Sequence, residues 1–539
     1  MNRRTFVQAS LLAGGTALAR PPLESASPSP VPVKPFELDE ATVTDLQAGM
    51  KSGKYTARSV TEKYLERINE IDKRGPAINS VIELNPDALA IADALDKEMR
   101  DKGPRGPLHG IPVLIKDNID TADRMMTTAG SLALSGSIAP RDSFVAQRLR
   151  EAGAVILGKT NLSEWANFRS SHSSSGWSGR GGQTRNPYSL DRNPCGSSSG
   201  SGAAAAANLC ALAVGTETDG SVTCPSSING LVGIKPTLGL ISRSGIIPIA
   251  HSQDTAGPMT RSVTDAAILL GALAGIDPND AITNESRGKA QSDYTKFLHP
   301  NGLRGARIGV ARKFFGFSEK VDALMSAALD TMKHLGVEII DPADLPSMGK
   351  YGDSELQVML YEFKADLNAY LERLGPKAPV HTLKDIIEFN DRNADKEMPF
   401  FGQDMMIKAQ EKGPLTTPAY LQALKKDHDL SRKQGIDAVI AKYKLDALVA
   451  PTAPPAWPID LANGDPSGGG GFTGPAAVAG YPHITVPAGH VFGLPVGISF
   501  VGKAYSEPVL IRLAFAYEQA TKFRKPPRFL PSVDLNNRI

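Results

Sequence analysis

Apolar and polar residues follow two patterns along the chain, one with helical spacing and one of short continuous apolar runs. Thr56 is typical of a helix N-cap. The apolar residues Val60, Tyr64 and Ile68 recur after it at helical spacing, which predicts an amphipathic helix over residues 57–72. The short apolar runs predict buried strands, because a strand covered on both faces has no polar side.

The same two patterns predict the remaining elements. Further helices are predicted over residues 86–100, 143–152, 262–275 and 509–521, and residues 318–445 are mostly helical by pattern. Strands are predicted at residues 78–84, 111–115, 154–157, 306–310, 446–450, 483–486 and 496–501. Alternating helices and strands are typical of an α/β protein. Without an internal repeat or linker after residue 36, they predict a single domain over residues 37–539.

Residues 195–237 form a stretch rich in serine, glycine and alanine, with serine-containing turns at residues 196–202 and 218–221. The segment between the turns, residues 203–214, is helix-compatible at its start and strand-like at residues 212–214. Because small side chains let two backbones approach closely, we expect the hydroxyls of Ser197 and Ser221 to meet in one site. A flexible linker is the alternative for a serine–glycine run. The apolar segments that follow each turn favour a site.

A second candidate for chemistry lies at the end of an apolar run. Residues 111–115 are continuously apolar and are followed by Lys116. A buried strand here would deliver Lys116 to its carboxyl end, where α/β sheets place their functional groups. A solvated lysine at a strand end is the alternative that this segment alone leaves open.

Composition and charge narrow the range of partners. The chain has 539 residues, 59 of them basic and 57 acidic, for a formal net charge of +2. With no basic run, we expect no nucleic-acid partner. After the first 19 residues, no apolar run approaches the roughly 20 residues of a membrane helix. We therefore expect no membrane insertion once residues 1–19, a predicted export leader described below, are removed. The sequence does not indicate an oligomeric state.

The N-terminus has the pattern of an export leader. The paired Arg3 and Arg4, an apolar run and an A-x-A end predict a twin-arginine signal peptide over residues 1–19. Residues 20–36 are rich in proline and predict a linker. We therefore expect a periplasmic or secreted protein, or a cytoplasmic one if the leader is not used.

The three cysteines, Cys195, Cys210 and Cys224, all lie within the serine-rich stretch. Three cannot all pair, and no C-x-x-C motif is present. We therefore predict small buried side chains rather than a disulfide framework or a zinc site, and no metal or cofactor is expected.

Two short motifs match well-known patterns without their context. Residues 153–160 match the phosphate-loop pattern GxxxxGK[ST], but the four intervening residues are strand formers that cannot wrap a phosphate. Residues 196–200 match the nucleophile-elbow pattern GxSxG, which requires a strand immediately before the serine, and a polar loop precedes it here. A Ser-His-Asp hydrolase with His251, His381 or His483 remains a minor alternative.

Taken together, these segments resemble the amidase signature family over roughly residues 37–520. The resemblance is carried by several motifs in the family's order: GIPVLIKDN (110–118), GKTN (158–161), GSSSG (196–200), GTETDGSVTCP (215–225), GIKPT (233–237), GP (257–258), DALVAPT (446–452), YPHITVPAG (481–489) and GLPVG (493–497). It implies an α/β fold with a central mixed β-sheet covered by helices on both faces.

The resemblance also implies a catalytic set of Lys116, Ser197 and Ser221. In this scheme burial keeps the lysine neutral, because a low-dielectric pocket disfavours the ammonium form. Lys116 then deprotonates Ser221 through the bridging Ser197, and Ser221 attacks the amide carbonyl to give an acyl-enzyme.

Backbone N–H groups of Thr218, Asp219, Gly220 and Ser221 would form the oxyanion hole. One departure concerns this turn. Many relatives have Gly-Gly before the nucleophile, whereas Asp219 and Gly220 stand here. A positive φ at Asp219 would be strained, although Asp tolerates it better than most residues.

Residues 160–183 resemble the corresponding part of the peptide amidase branch of the family, whose substrates are C-terminal peptide amides. The family's substrate pocket would place Ala166 near the leaving group. We therefore predict release of ammonia from peptide or amino-acid amides. The alternatives are the glutamine-hydrolysing subunit of a tRNA amidotransferase, which shares the triad, and a non-catalytic binding module.

Overall fold

The computed structural model describes residues 27–466 and 471–536. Among these residues, eleven strands form one mixed sheet and two short strands form a separate hairpin. The strands are β1 (Val81–Leu84), β2 (Pro112–Lys116), β3 (Val155–Thr160), β4 (Trp177–Ser178), β5 (Gly182–Gln183), β6 (Leu212–Glu217), β7 (Val232–Lys235), β8 (Thr255–Thr260), β9 (Arg307–Val310), β10 (Glu338–Ile340), β11 (Ala447–Pro451), β12 (His483–Val491) and β13 (Leu494–Val501).

Helices precede, connect and follow these strands. They are α1 (Val43–Lys51), α2 (Ala57–Arg67), α3 (Ala88–Lys102), α4 (Phe144–Glu151), α5 (Ser199–Ala206), α6 (Thr223–Ile228), α7 (Val263–Leu273), α8 (Glu319–His334), α9 (Gly352–Arg373), α10 (Leu383–Arg392), α11 (Ala394–Glu397), α12 (Asp404–Gln410), α13 (Pro418–His428), α14 (Asp437–Tyr443), α15 (Gly474–Ala479) and α16 (Glu507–Thr521).

The sheet order is β1-β3-β2-β6-β8-β7-β12-β13-β11-β9-β10. Strand β2 pairs in parallel with both β3 and β6, so its carboxyl end lies between theirs. The pairs β6·β8, β7·β8 and β12·β13 are antiparallel, which makes the sheet mixed. The predicted fold class is confirmed, and the parallel segment β3-β2-β6 places Lys116 at the carboxyl ends of its strands, where α/β sheets carry their functional groups.

Some elements differ from the predicted ones. The helix predicted over residues 57–72 is α2 followed by a π-helical segment, Ile68–Lys73. Strand β6 extends to Glu217, because Thr216 and Glu217 pair with β8. The sequence analysis missed β8, whose residues TAGPMT show neither apolar alternation nor a continuous run. It also missed β10, which lies inside the region predicted as mostly helical.

Helix α5 lies directly on the sheet, and glycine makes this contact possible. All eight of its residues are buried. A Cβ added at Gly200 would lie 2.3 Å from the carbonyl oxygen of Ser80 and 2.4 Å from that of Asn161. The serine-rich stretch is therefore a tightly packed structural segment rather than a linker.

The helices of residues 352–428 pack beside the segment that contains Ala166. Leu360, Phe363 and Leu367 of α9 belong to a buried cluster that also contains Trp165 and Phe168. The ring centroids of Phe168 and Phe363 are 5.0 Å apart. Residues on either side of Ala166 are thus packed against this helical region.

The prediction of unpaired cysteines is wrong for two of the three. Cys195 and Cys224 form a disulfide with Cα atoms 6.2 Å apart, and Cys210 is free and buried. The two partners are separated by 29 positions, yet each is close in sequence to one of the two serine turns. Packing of the turns against each other brings the cysteines together, which a count of cysteines could not show.

The predicted leader, residues 1–19, lies outside the described residues, as do the first three glycines of the run at residues 468–471. The end of the predicted linker is on the globular body, where the N–H of Val31 donates to the carbonyl of Phe529 at 3.1 Å. Phe36 packs against the main core. No helix in the described part of the chain is long and apolar enough to span a membrane.

Candidate active site

Lys116 is the last residue of β2, and its side chain is fully buried. Its Nζ lies 2.7 Å from Ser197 Oγ, 2.9 Å from Thr216 Oγ1 and 3.3 Å from the carbonyl oxygen of Thr216. Burial lowers the pKa of Lys116 to about 7, since the low-dielectric surroundings disfavour the ammonium form. An amine in this setting exchanges a proton near neutral pH.

The three oxygen atoms around this amine suit both of its protonation states. A charged Lys116 can donate one N–H to each of them. A neutral Lys116 can donate to Thr216 and accept the hydroxyl proton of Ser197. The Oγ1 of Thr216 is also held by Asn118 Nδ2 at 3.0 Å, so the acceptor is fixed in place.

The two serine turns are adjacent, as the sequence analysis expected. The N–H of Ser198 donates to the carbonyl of Ser221 at 3.1 Å, and Ser163 N–H donates to the carbonyl of Ser197 at 3.1 Å. The peptide bond between Gly196 and Ser197 is cis. Within the described ranges, no direct hydrogen bond joins Ser197 Oγ to Ser221 Oγ. Ser221 is 8% exposed.

Ser198, the central residue of the GxSxG match, has a structural role. Its Oγ donates to the carbonyl of Thr216 at 3.0 Å and lies 3.1 Å from the N–H of the same residue. Within the described ranges, none of the three histidines considered as partners bonds to Ser198. The imidazole of His251 contacts Asp366 and that of His483 contacts Ser499, while the N–H of His381 donates to Asp385. The geometry gives no support to a Ser-His-Asp site at residue 198.

The turn before Ser221 presents unpaired backbone donors. Across the described residues, the N–H groups of Thr218, Asp219, Gly220 and Ser221 make no hydrogen bond. Unpaired N–H groups beside a buried site are rare unless a ligand or solvent satisfies them. Gly220 has φ +78°, whereas the φ of Asp219 is not positive, so the strain considered for Asp219 does not arise. The arrangement is suited to a developing oxyanion.

Buried side chains on both sides hold this turn. Glu217 Oε2 accepts from the N–H groups of Val222 and Thr223 at 2.7 and 2.8 Å. Thr218 Oγ1 donates to Asp254 Oδ1 at 2.6 Å. Asp254 in turn accepts from backbone N–H groups on the loop before β8. Four unpaired N–H groups in a row are therefore kept in place from outside the turn.

Ala166 lines a cavity of about 230 Å³ next to the candidate site. Asn118, Thr216 and Thr218 line one side of the cavity and the aliphatic segment 246–249 another, whereas Lys116, Ser197 and Ser221 are not among its lining residues. Ala166 has φ +53°, a left-handed conformation that turns the backbone sharply at this point. Its predicted place near the substrate is compatible with this position, and its role stays a prediction.

Sequence reasoning missed Thr216, Asn118 and Asp254. Thr216 lies two positions after the predicted strand end at residue 214, so continuing the strand pattern by two residues would have included it. Asn118 is within the GIPVLIKDN motif, and its side chain supports Thr216. Asp254 is 36 positions from its partner Thr218, and no local pattern links the two.

One group in the described part of the chain has the donor types of a metal site, namely His251, Glu362 and Asp366. Both imidazole nitrogens already face carboxylates, Nδ1 at 2.8 Å from Asp366 Oδ2 and Nε2 at 3.4 Å from Glu362 Oε1. Glu362 also accepts from Ser252 and Tyr420. The group therefore has a complete hydrogen-bond network without an ion.

The fold, together with a serine beside a turn of unpaired N–H groups and a buried amine, is that of an enzyme that acts on a carbonyl group. The family model for amidases matches residues 59–511 of the chain. The chain belongs to the amidase signature family, and it is a hydrolase that acts on amide bonds.

Three relatives illustrate the range of the family. The chain is 50% identical to the native peptide amidase of Stenotrophomonas maltophilia, with a TM-score of 0.88 over 92% of this chain and 100% of that one. It is 42% identical to a probable amidase of Arabidopsis thaliana over 92% of this chain and 93% of the relative. It is 36% identical to a glutamyl-tRNA(Gln) amidotransferase subunit of Caldanaerobacter subterraneus over 92% of this chain and 99% of the relative.

The burial of Lys116 predicts a stability cost that depends on pH. In the folded protein the pKa is about 7, and in the unfolded chain it is near the ordinary value of 10.5. Below pH 7 the lysine is charged in both states and the folded state bears the full desolvation cost. The cost falls as pH rises from 7 and vanishes above about 10.5. Lys116→Met should therefore stabilise the protein at pH 6, by on the order of 3 kcal/mol.

Urea unfolding at pH 6, 8 and 9.5 measures this difference, and the advantage of Lys116→Met should shrink at each step. The exposed Lys54→Met is the matched control, because its 61% exposed side chain bears no such desolvation cost. A variant less stable than wild type at pH 6 would show that the buried ammonium is not a net cost.

Proposed function

We propose that the protein releases ammonia from C-terminal peptide amides or amino-acid amides through an acyl-enzyme on Ser221. The observation that carries the proposal is the 2.7 Å contact between Lys116 Nζ and Ser197 Oγ, next to a turn with four unpaired N–H groups. A serine hydroxyl becomes a good nucleophile only when a neighbouring base takes its proton. A buried lysine with a pKa of about 7 is a base of suitable strength near neutral pH.

In the first step, Ser221 Oγ attacks the amide carbonyl carbon and its proton passes through the Ser197 hydroxyl to Lys116. Ser197 gives its own proton to the lysine as it receives that of Ser221, so it ends the transfer unchanged. The negative charge develops on the carbonyl oxygen, where the N–H groups of residues 218–221 stabilise it. In well-studied enzymes one such donor contributes about 3–4 kcal/mol.

In the second step the C–N bond breaks and the leaving nitrogen takes the proton back from Lys116 through Ser197, departing as ammonia. The same relay then deprotonates a water molecule that attacks the ester carbonyl. Cleavage of the C–O bond returns a proton to Ser221 and releases the carboxylic acid. Both halves use the same proton path, so no cofactor or metal is invoked.

Support for a peptide amide substrate comes from the relatives and from the cavity beside Ala166. This chain is 51% identical to a peptide amidase whose structure was determined with the competitive inhibitor chymostatin. The TM-score is 0.89, over 91% of this chain and 100% of the peptide amidase chain. The aliphatic wall at residues 246–249 suits the apolar parts of a peptide.

Glutamine hydrolysis is a second candidate, and the specific observation that favours it is the 36% identity to the glutamyl-tRNA(Gln) amidotransferase relative. That activity uses a small amino-acid side-chain amide and works with partner chains. A peptide amidase would act alone. The two functions therefore differ in substrate size and in the need for a partner.

Ammonia release from a panel of amides separates these functions. We expect the purified chain to hydrolyse acetylated amino-acid amides and dipeptide amides, with kcat/KM for free glutamine lower by at least about tenfold because glutamine leaves the cavity unfilled. Rates should be the same with EDTA present.

A fluorophosphonate should label Ser221, located by peptide mass mapping, and Ser221→Ala should abolish both labelling and turnover.

The matched control is Ser198→Ala, which removes a neighbouring hydroxyl that has only a structural contact. Labelling at Ser198 would instead support the nucleophile-elbow alternative. Efficient turnover of glutamine with no turnover of peptide amides would favour the glutaminase function, and turnover of no amide would favour a binding module.

The pH dependence of hydrolysis should report Lys116. Activity requires the neutral amine, so kcat/KM should be low below pH 7 and rise to a plateau above it, with an apparent pKa of about 7. Thr216→Val removes an oxygen that accepts from Nζ at 2.9 Å. Losing an acceptor destabilises the ammonium form and lowers the pKa of Lys116. The acidic limb of the kcat/KM profile should therefore move to lower pH, while kcat falls by roughly tenfold. Thr331→Val on α8, at a hydroxyl that donates to the carbonyl of Ala327 and does not line the cavity, should leave the acidic limb unchanged.

We also propose export through the twin-arginine route, followed by removal of residues 1–19. Two features support it, the Arg3-Arg4 pattern and the Cys195–Cys224 disulfide, a bond that persists in oxidising compartments. In a bacterium with this pathway, the protein should fractionate with the periplasm or medium. Arg3→Lys/Arg4→Lys should keep it in the cytoplasm with the leader attached. Identical fractionation of both would contradict export by this route.

A further inference from the structure

The turn that carries the unpaired N–H groups has no internal hydrogen bonds to fix its shape, so its side chains must do so. Thr218 is bonded to Asp254. The carboxyl group of Asp219, in the middle of the turn, faces the side chains of Thr473 and Glu355. Glu355 is in the first turn of α9 and is 9% exposed. The helical region over residues 352–428 therefore reaches the oxyanion turn through one carboxyl group.

A hydrogen bond between two carboxyl groups contains one proton, because a carboxylate can only accept. Asp219 Oδ1 is buried, and within the described ranges it has no amide, amine or hydroxyl partner. The carboxyl group of Glu355, which faces Asp219, can donate to it when it holds a proton. Burial raises the pKa of Glu355 well above its ordinary value, and the adjacent charge of Asp219 raises it further. Glu355 is thus the partner that holds the proton.

A second contact links the same glutamate to the turn. Gln253 Nε2 donates to Glu355 Oε1 at 3.1 Å and to the carbonyl oxygen of Thr218 at 3.4 Å. Glu355 therefore meets the turn twice, directly at Asp219 and through Gln253 at Thr218. Neither contact involves the proton path between Lys116 and Ser221.

We propose that Glu355 is a positioning residue for amide hydrolysis: in its protonated form it donates a hydrogen bond to Asp219 and thereby holds the N–H groups of residues 218–221 in the geometry that binds the oxyanion. This inference rests on the proposed function of those N–H groups. It adds a role for α9, whose residues lie more than 100 positions from the turn along the sequence. Glu355 itself does not touch the reacting atoms.

Other titratable groups face the acid pair and share its surroundings. They are Glu217 and Lys235 from beneath the turn, Tyr351 from the residue before α9, and Asp427 from α13. Lys235 is buried, which lowers its pKa to about 8, so it also changes charge in the alkaline range. Assignment of an alkaline effect to Glu355 therefore requires a variant that removes only its acidic proton.

The test compares Glu355→Gln with Glu355→Ala. The Gln amide keeps a donor for Asp219 and an acceptor for Gln253, so kcat should stay within about threefold of wild type. The Ala variant loses both, and kcat should fall by at least about tenfold with KM changed by less than about twofold, because the loss is confined to the transition state. Glu362→Gln, two turns along the same helix and 0% exposed, is the control and should retain wild-type kcat.

Inhibitor affinities distinguish positioning of the oxyanion turn from general loosening of the site. The probes are the acetylated amino aldehyde that matches the preferred amide substrate and the corresponding alcohol. The aldehyde forms an adduct with an oxyanion, whereas the alcohol cannot. Glu355→Ala should weaken the aldehyde by the same factor as kcat/KM and leave the alcohol unchanged. Equal weakening of both, or wild-type kcat in Glu355→Ala, would overturn the proposal.

The pH profile gives a readout that does not depend on the Ala variant folding. Wild-type activity should fall at alkaline pH as the pair loses its proton and two carboxylates repel each other. Glu355→Gln has no such proton and should keep its activity there. An identical alkaline limb in both proteins would overturn the proposal. Failure of the proposed function would appear separately, as turnover that survives in Ser221→Ala.

Discussion

The site depends on one amine that the fold keeps away from water. Lys116 forms no ion pair within the described residues, and its Nζ contacts only hydroxyl and carbonyl oxygens. An unpaired ammonium is expensive to bury, so the protonation equilibrium shifts towards the neutral amine. The strand geometry imposes this environment, because β2 lies between β3 and β6 and no solvent can approach its last side chain. The same desolvation that gives the lysine its chemistry opposes the stability of the fold.

Small residues make the second requirement, close approach, possible. A Cβ at Gly196 would lie 2.2 Å from Ser163 Oγ, and one at Gly200 would overlap backbone carbonyls beneath α5. These glycines let the turn that carries Ser197 pack closely at the carboxyl ends of β3 and β6. The disulfide from Cys195 to Cys224 joins the chain just before this turn to the chain just after Ser221. Two backbone segments therefore meet at the amine because neither carries a bulky side chain.

Much of this could be predicted from the sequence, since the signals are local. An apolar run that ends in lysine indicates a strand with Lys116 at its end, and serine–glycine turns beside apolar segments indicate that Ser197 and Ser221 are packed. The supports of the turn could not be predicted. Thr218 and Asp254, or Gln253 and Glu355, are distant in sequence and meet only through the order of β6 and β8 and the packing of α9. The disulfide was missed for the same reason.

Residues that are close in sequence and side chains that are distant in sequence have different roles in such a site. The amine and the two serines can be supplied by β2 and one continuous stretch of chain, so a short set of motifs is enough to identify them. The turn proposed as the oxyanion hole differs, because N–H donors that are free for a substrate cannot also stabilise the turn. Its geometry must come from side chains whose own partners lie elsewhere, here Glu217, Asp254 and Asp219. Such a turn depends on a rigid surrounding fold, and in this protein the serine-rich stretch is enclosed by helices on the side of α9 as well as by the sheet.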